Sequence, residues 1–172
     1  MREGKEGYRV EVLGREHDRS EFDCGSKALN EYLMVQAGQD ARKGASRSFV
    51  LCEGASKRVV GFYTLSALSM DIGAGPDNVV KKLPRYPGVP ATLLGRLAIH
   101  NKLQGKGAGE HLLMDALHRS WEVSRQVASV AVVVDVKDDR AMSFYKKYDF
   151  TRFRDEPMKL FLPMNVIEKL FS

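Results

Sequence analysis

A glycine-rich turn lies between an apolar strand pattern and a helix pattern, within the stretch from Leu94 to Leu113. Gly105, Gly107 and Gly109 let the backbone of this turn approach a ligand closely. The first N–H groups of the following helix have no partner within it, and the helix dipole adds partial positive charge at the same end. The segment is therefore predicted to hold a pyrophosphate. A turn in which the glycines provide flexibility alone is the alternative.

Two common phosphate-binding loops do not fit this turn. A nucleotide-hydrolysing loop closes on a lysine followed by serine or threonine, and this turn has no such pair. A dinucleotide fingerprint repeats glycine at positions one, three and six. Counting from Gly105 or Gly107 brings the sixth position to Glu110 or Leu112. Neither template accounts for the turn.

The spacing Gln104-x-x-Gly107-x-Gly109 resembles the acetyl-CoA signature of the GNAT N-acetyltransferases, which move an acetyl group from the cofactor to an amine. The resemblance implies that the strand before the turn pairs through its backbone with the pantetheine arm, and that the turn binds the pyrophosphate. The implied pantetheine residues are Leu97, Ala98 and Ile99, and the implied pyrophosphate residues are Gln104, Gly105, Lys106, Gly107, Ala108 and Gly109.

Hydrophobic periodicity predicts strands at residues 8–13, 48–52, 59–68, 91–99, 127–136 and 159–162. Helices are predicted after Asp23 or Ser26, from the glycine turn to about Arg125, after Asp138, and over 163–171. The strand at 127–136 is almost continuously apolar, which is typical of burial on both faces, and it closes a βαβ unit. Glycines and prolines exclude regular structure from 71–90, except for a turn of helix around 78–83.

A chain of 172 residues without internal repeats predicts a single domain over 1–172. The order of its elements resembles the GNAT fold. That fold is of the α/β (α+β) class, with a mixed central β-sheet splayed around acetyl-CoA and flanked by helices.

Five separated motifs agree in order with one group inside that family, the acetyltransferase toxins of bacterial type II toxin-antitoxin modules. The resemblance covers about residues 8–163. It implies an aminoacyl-tRNA substrate and a ribbon-helix-helix antitoxin partner. The motifs are Phe22-Asp-Cys-Gly with Leu29 and Tyr32-Leu33, Gly44 to Val50, Gly61 to Leu65, Leu94 to Ala98, and Asp138 to Tyr145.

Tyr145 stands at the position of the family's catalytic tyrosine. A phenol has a reference pKa near 10, above about 8.5 for a thiol, so it stays protonated at pH 7 and can donate to a departing thiolate. By spacing alone, the residue reads as a core aromatic beside Phe144 and Tyr148. Two residues depart from the pattern of the relatives: Asp135 replaces a frequent histidine, and Asp149 replaces a turn glycine.

The acceptor side of the site is less defined. Residues 93–99 carry no carboxylate to act as a base, which fits the weakly basic α-amine of an aminoacyl ester better than a lysine. Arg96 on this strand contacts the acceptor or forms a buried ion pair. His100 and His111 flank the turn and are candidate bases, although turn and helix positions facing solvent are the favoured interpretation.

The formal net charge is +5, and basic residues cluster at 42–47, 81–85, 102–106, 146–147 and 152–154. Such clusters favour RNA or the coenzyme phosphates, or are simply solvated. Cys24 and Cys52 lack metal-ligand spacing, so no metal is expected. No apolar run reaches the ~20 residues of a membrane span. A cytoplasmic protein without a membrane partner is expected, and a homodimer is left open.

These observations predict a toxin N-acetyltransferase that moves acetyl from acetyl-CoA to the α-amino group of aminoacyl-tRNA and inhibits translation. One alternative is a GNAT enzyme for a small-molecule or protein amine. Another is a binding module without catalysis, which would keep the fold and hold RNA through its basic surface.

Overall fold

The computed structural model describes residues 7–71 and 88–172. Within these ranges seven strands form one mixed sheet with the order β1-β2-β3-β4-β5-β7-β6, which confirms the predicted fold class. The strands are β1 (Tyr8–Val12), β2 (Arg47–Glu53), β3 (Val59–Met70), β4 (Val89–Ile99), β5 (Ala131–Asp135), β6 (Thr151–Arg152) and β7 (Lys159–Pro163).

Helices occur where the sequence predicts them, with one irregularity. The first predicted helix contains a π-helical segment, Tyr32–Gln36, between α1 (Lys27–Glu31) and α2 (Ala37–Lys43). The wider π turn changes the phase of the helix, so Ala37 is buried while Gln36 is exposed. The other helices are a 3-10 turn at Asn101–Leu103, α3 (Ala108–Ser124), α4 (Asp139–Lys147) and α5 (Met164–Phe171).

The chain forms two compact units. The first comprises the described residues up to Ser66 together with Gly95–Ala116. In it β1 pairs antiparallel with β2, from Tyr8 opposite Glu53 to Val12 opposite Phe49. Strand β2 in turn pairs antiparallel with β3. The core of this unit consists of Phe22, Tyr32, Leu33, Ala37, Val50, Cys52, Val59, Phe62 and Ala98.

The second unit comprises the described residues of 67–94 and 117–172. Strand β5 lies between β4, which pairs parallel to it, and β7, which pairs antiparallel, so Ala131–Val134 are buried. The parallel pairing confirms the predicted βαβ unit. The predicted start of this strand at Val127 is wrong, because the Val127 amide bonds Val123 O at the end of α3. Strand β6, of two residues, was not predicted.

Local capping follows the sequence. Ser26 caps α1 by accepting from the Leu29 amide, and Asp138 caps α4 by accepting from the Ala141 amide at 2.8 Å. Asp149 adopts φ +69°, the left-handed conformation that a relative's glycine would take there. The turn of helix expected around 78–83 lies outside the described residues. Within the described ranges, no helix is long and apolar enough to cross a membrane.

Candidate active site

The glycine turn has the predicted strand–turn–helix form and lies in the first unit. Strand β4 ends at Ile99, the 3-10 turn follows, and α3 begins at Ala108. Gly105 and Gly107 have φ of +79° and +84°. A Cβ added at either position meets no atom within 4 Å. These glycines are therefore required by the left-handed backbone and leave the space above the turn open.

Several backbone amides of this turn are unpaired. The first bond of α3 runs from the His111 amide to Gly107 O at 3.1 Å. The amides of Gly107, Ala108 and Gly109 have no acceptor in the part of the chain that the structure describes. Lys106 is exposed beside them. Unpaired amides at a helix N-terminus fit a pyrophosphate, which is the ligand group predicted from the sequence.

The Gln104 side chain stabilises the turn through hydrogen bonds. Its side-chain amide donates to Ile99 O and Cys24 O, both at 3.1 Å, and to Asn101 Oδ1 at 3.3 Å. These bonds commit the side-chain donors to the protein. The prediction that Gln104 binds pyrophosphate remains a prediction, and in this geometry its backbone is the part left for the ligand.

The segment Asp23–Gly25 supports the turn from the other side. The Asn101 amide donates to Asp23 O at 2.8 Å. The Asp23 carboxylate accepts from the Gly25 amide and from Asn30 Nδ2, and these bonds lower the pKa of Asp23, the Gly25 bond most. The sequence left Asp23 and Ser26 open as the start of the first helix, and the structure has Ser26 as its cap. In the sequence, the Phe22-Asp-Cys-Gly motif of the family resemblance was the one indication that this segment has a role near the turn.

Both histidines near the turn have structural contacts. The Lys102 amide donates to His100 Nδ1 at 3.1 Å, so His100 Nε2 carries the proton and donates to Glu21 O at 3.1 Å. His100 therefore holds the 3-10 turn and leaves no lone pair for a base. The ring of His111 lies 5.6 Å from that of Tyr8.

The end of β4 has an edge suited to an extended ligand. Pairing of β4 with β5 involves only Thr92–Leu94, so Leu97, Ala98 and Ile99 have no partner in β5 in the described structure. On β3, Gly61 permits a close approach. A Cβ at Gly61 would lie 2.9 Å from Ile99 Cδ1 and 3.2 Å from Ala98 O. A larger residue at 61 would therefore shift this segment.

Tyr145 lies in the second unit, on α4. It is 7 % exposed, and its ring contacts those of Phe144 and Phe150, each at 5.2 Å between centroids. Burial raises the pKa of the phenol, so the hydroxyl stays protonated at neutral pH. The hydroxyl has no hydrogen-bond partner among the described residues. Met142 is the other buried residue of this helix, and its burial was not predicted from the sequence.

Arg96 is stacked on an aromatic ring. Its guanidinium carbon lies 3.5 Å from the centroid of the Tyr32 ring. The Tyr32 hydroxyl donates to Asp40 Oδ2 at 2.7 Å. Among the described residues no carboxylate makes an ion pair with Arg96. Its charge nevertheless adds to the bonds from Gln36 and Tyr32 that lower the pKa of Asp40.

A third cluster brings together Glu11, His17 and Cys52, whose potential metal-binding atoms lie within 4.8 Å of one another. One oxygen of Glu11 already accepts from His17 at 2.7 Å, Lys57 at 3.2 Å and Arg9 at 3.3 Å. These three donors satisfy the carboxylate, so the cluster is a hydrogen-bonded network within the first unit. Cys52 is a free thiol.

The mixed sheet and the glycine turn define the class of protein, and the comparison with known families agrees. A family model described as an acetyltransferase (GNAT) domain matches residues 44–152. The chain belongs to the GNAT acetyltransferase family.

Individual relatives within the family are toxins. The chain is 37 % identical over 147 residues to the tRNA-acetylating toxin of Mycobacterium tuberculosis, covering 86 % of each chain. It is similar to the solved structure of AtaT complexed with acetyl-methionyl-tRNAfMet (TM-score 0.88, 32 % identity, 96 % of this chain and 99 % of that one). It is also similar to a tyrosine-to-phenylalanine mutant of AtaT bound to the C-terminus of the antitoxin AtaR and acetyl-CoA (TM-score 0.81, 29 % identity, 96 % and 98 %).

Proposed function

We propose that this chain is a toxin that transfers the acetyl group of acetyl-CoA to the α-amino group of aminoacyl-tRNA and so inhibits translation. The observation that carries the proposal is the glycine turn with its unpaired amides, found in a chain 37 % identical to a tRNA-acetylating toxin. The solved relative that holds acetyl-methionyl-tRNA supports the same acceptor class.

Acetyl-CoA fits the residues present. The amides of Gly107, Ala108 and Gly109 would bind its pyrophosphate, together with the backbone of Gln104, Gly105 and Lys106. The edge of Leu97, Ala98 and Ile99 would pair with the amides of the pantetheine arm. When bound, the cofactor supplies an activated thioester. The positive charge of Lys106 adds to the attraction for phosphate.

Tyr145 is proposed as the general acid. An amine attacking a thioester needs a proton delivered to the departing sulfur, and the Tyr145 phenol is a neutral donor that stays protonated at neutral pH. Its hydroxyl has no competing acceptor among the described residues. The buried ring, packed against Phe144 and Phe150, fixes the position of the phenol oxygen.

The acceptor amine enters neutral. The β4 segment 93–99 carries no carboxylate, and His100 has no lone pair to spare. An α-amine next to an ester loses its proton near neutral pH without strong assistance, since α-amines start near a pKa of about 8. The site therefore suits an aminoacyl ester better than a lysine side chain.

The proposal extends to partners and location. An antitoxin of the ribbon-helix-helix type would bind the toxin, as the antitoxin AtaR binds AtaT in a solved relative. The reaction would take place in the cytoplasm, where charged tRNA is used. We also propose that residues 1–172 act as one GNAT domain.

The test is incubation of the protein with labelled acetyl-CoA and total charged tRNA, followed by release and mass analysis of the amino acids. Acetylated amino acids are expected. Uncharged tRNA, a lysine peptide and a polyamine are the comparison acceptors, and Gly107→Glu is the variant without a cofactor site. Acetylation of the peptide or polyamine, with charged tRNA untouched, would contradict the proposal in favour of a small-molecule or protein amine.

A further inference from the structure

Arg96 presents an unsatisfied guanidinium at the helix-covered face of the first unit. One face of the group lies against the Tyr32 ring at 3.5 Å. Arginine has five N–H donors, and here none has a hydrogen-bond acceptor within the ranges that the structure describes. The side chain is only partly buried, so these donors are open to solvent or to an anionic ligand.

Tyr32 is a rigid platform for this cation. Its hydroxyl bonds Asp40, and Asp40 also accepts from Gln36 Nε2 at 3.0 Å. On the sheet side, the Phe62 ring is stacked nearly parallel to Tyr32, with an interplanar angle of 11°. Tyr32 begins the π-helical segment, in which its carbonyl accepts from the Ala37 amide. Irregular turns of this kind are frequent at functional sites.

Two further polar groups without partners lie on the same face of this sheet. Ser48 and Thr64 are opposite each other on β2 and β3, and their buried hydroxyls have no hydrogen-bond partner in the described structure. Alternation along β3 puts Thr64 on the face of Phe62, which is the face covered by Tyr32. Buried polar groups are almost always bonded, so these two hydroxyls are unusual. Alternation along β4 puts Arg96 on the face of Ala98, which belongs to the same core as Tyr32 and Phe62.

We propose that Arg96 binds a phosphate at the acceptor end of the tRNA, and that Tyr32 and Asp40 hold its guanidinium in place. The inference rests on the proposed function and names a specificity residue for it. The planar fork of arginine matches phosphate oxygens in pairs, which a lysine cannot do. Arg96 is two residues before Ala98 on the strand proposed for pantetheine. A phosphate held here would distinguish a nucleotide-linked amine from a free small amine.

Two synthetic acceptors isolate the phosphate. One is an aminoacyl ester at the 3′ oxygen of adenosine, and the other is the same ester of adenosine 5′-monophosphate. The parent protein is expected to favour the phosphorylated acceptor by about 10- to 100-fold in kcat/KM, the range of one paired charge-assisted contact. In Arg96→Gln this preference should fall to near one, with kcat/KM for the unphosphorylated ester almost unchanged.

Several variants keep the test specific. Arg96→Lys keeps the charge and the aliphatic stem, so it should retain a reduced preference and serves if the glutamine variant is unstable. Arg125→Gln is the matched control, since Arg125 also lies over an aromatic ring, 5.4 Å from the Trp121 centroid. It should keep the full preference. Titration calorimetry should give the same acetyl-CoA affinity for the parent and all variants.

Two results would overturn the inference. One is a parent protein that acetylates both esters equally. The other is an Arg96→Gln variant that loses activity on both esters by the same factor, which would assign Arg96 to the base or the aminoacyl group. A parent protein that acetylates neither ester nor charged tRNA would instead refute the proposed function itself, and the inference would fall with it.

Discussion

The side-chain amide of Gln104 lies 3.1 Å from the carbonyl oxygen of Cys24, and this bond ties the glycine turn to a segment 80 residues earlier in the chain. The same amide bonds Ile99 O, the last carbonyl of β4. One side chain therefore fixes the end of the strand and the start of the turn together. The unpaired amides that follow Gln104 are thereby held in a fixed position.

Gln104→Ala should weaken acetyl-CoA binding without unfolding the protein. The substitution removes the hydrogen bonds that hold the turn. A loss of about tenfold in acetyl-CoA affinity is expected, which is the equivalent of one net hydrogen bond. Titration calorimetry measures it. Gln126→Ala, an exposed glutamine just beyond α3, is the matched control and should bind like the parent. Unchanged affinity in Gln104→Ala would show that the turn is held by other contacts.

The strands and the glycine turn were predictable from the sequence because their signals are local. Alternating apolar residues, continuous valines and closely spaced glycines each act over about ten residues. The order of these elements then supported the resemblance to the GNAT fold. The predicted family, cofactor and acceptor class agree with the relatives.

The missed features depend on contacts between distant residues. Nothing near Gln104 indicates that its side chain bonds Cys24. The π-helical segment could not be read from periodicity, since its apolar Met34 and Val35 are exposed although they continue a helical pattern. Val127 resembles the start of a strand, but the end of α3 takes its amide. In each case the tertiary contact outweighs the local pattern.

Gly107→Glu should abolish acetyl-CoA binding. The substitution puts a carboxylate where the pyrophosphate is proposed to lie, and a loss of at least about 100-fold in affinity is expected. Gly107→Ala separates charge from strain. At φ +84° an alanine costs roughly 1–2 kcal/mol of stability, but the space above it is open. Both variants should melt below the parent, and only the glutamate should lose most of the affinity. Equal acetyl-CoA affinities of Gly107→Glu and the parent would show that the turn is not part of the cofactor site.

The stability of the protein should fall at acid pH through Glu11. The hydrogen bond from His17, followed by that from Arg9, lowers the pKa of Glu11 from 4.5 to about 2. A carboxylate with a lowered folded-state pKa stabilises the fold above its unfolded pKa, and this contribution is lost as the pH falls toward 2. The shift corresponds to roughly 3 kcal/mol for an unscreened group, but the Glu11 side chain is 26 % exposed, so we expect a loss of about 1 kcal/mol in the free energy of unfolding.

Urea unfolding between pH 7 and pH 2 measures this loss. In Glu11→Gln the free energy of unfolding should be lower at pH 7 and should change less between pH 5 and pH 2. Glu53→Gln, an exposed residue at the end of β2, is the control and should follow the parent curve. Parallel curves for Glu11→Gln and the parent would mean that the His17 contact does not persist in solution.

Tyr145→Phe should separate catalysis from folding at a single atom. The substitution keeps the ring between Phe144 and Phe150 and removes a hydroxyl that has no partner among the described residues, so the melting temperature should not fall. Turnover should drop on the order of 100-fold or more, because the sulfur loses its proton donor. Tyr148→Phe on the same helix is the matched control and should keep its turnover. Cells should tolerate expression of Tyr145→Phe, while the control remains toxic. If Tyr145→Phe keeps full turnover and full toxicity, the phenol is a packing group and the proton comes from elsewhere.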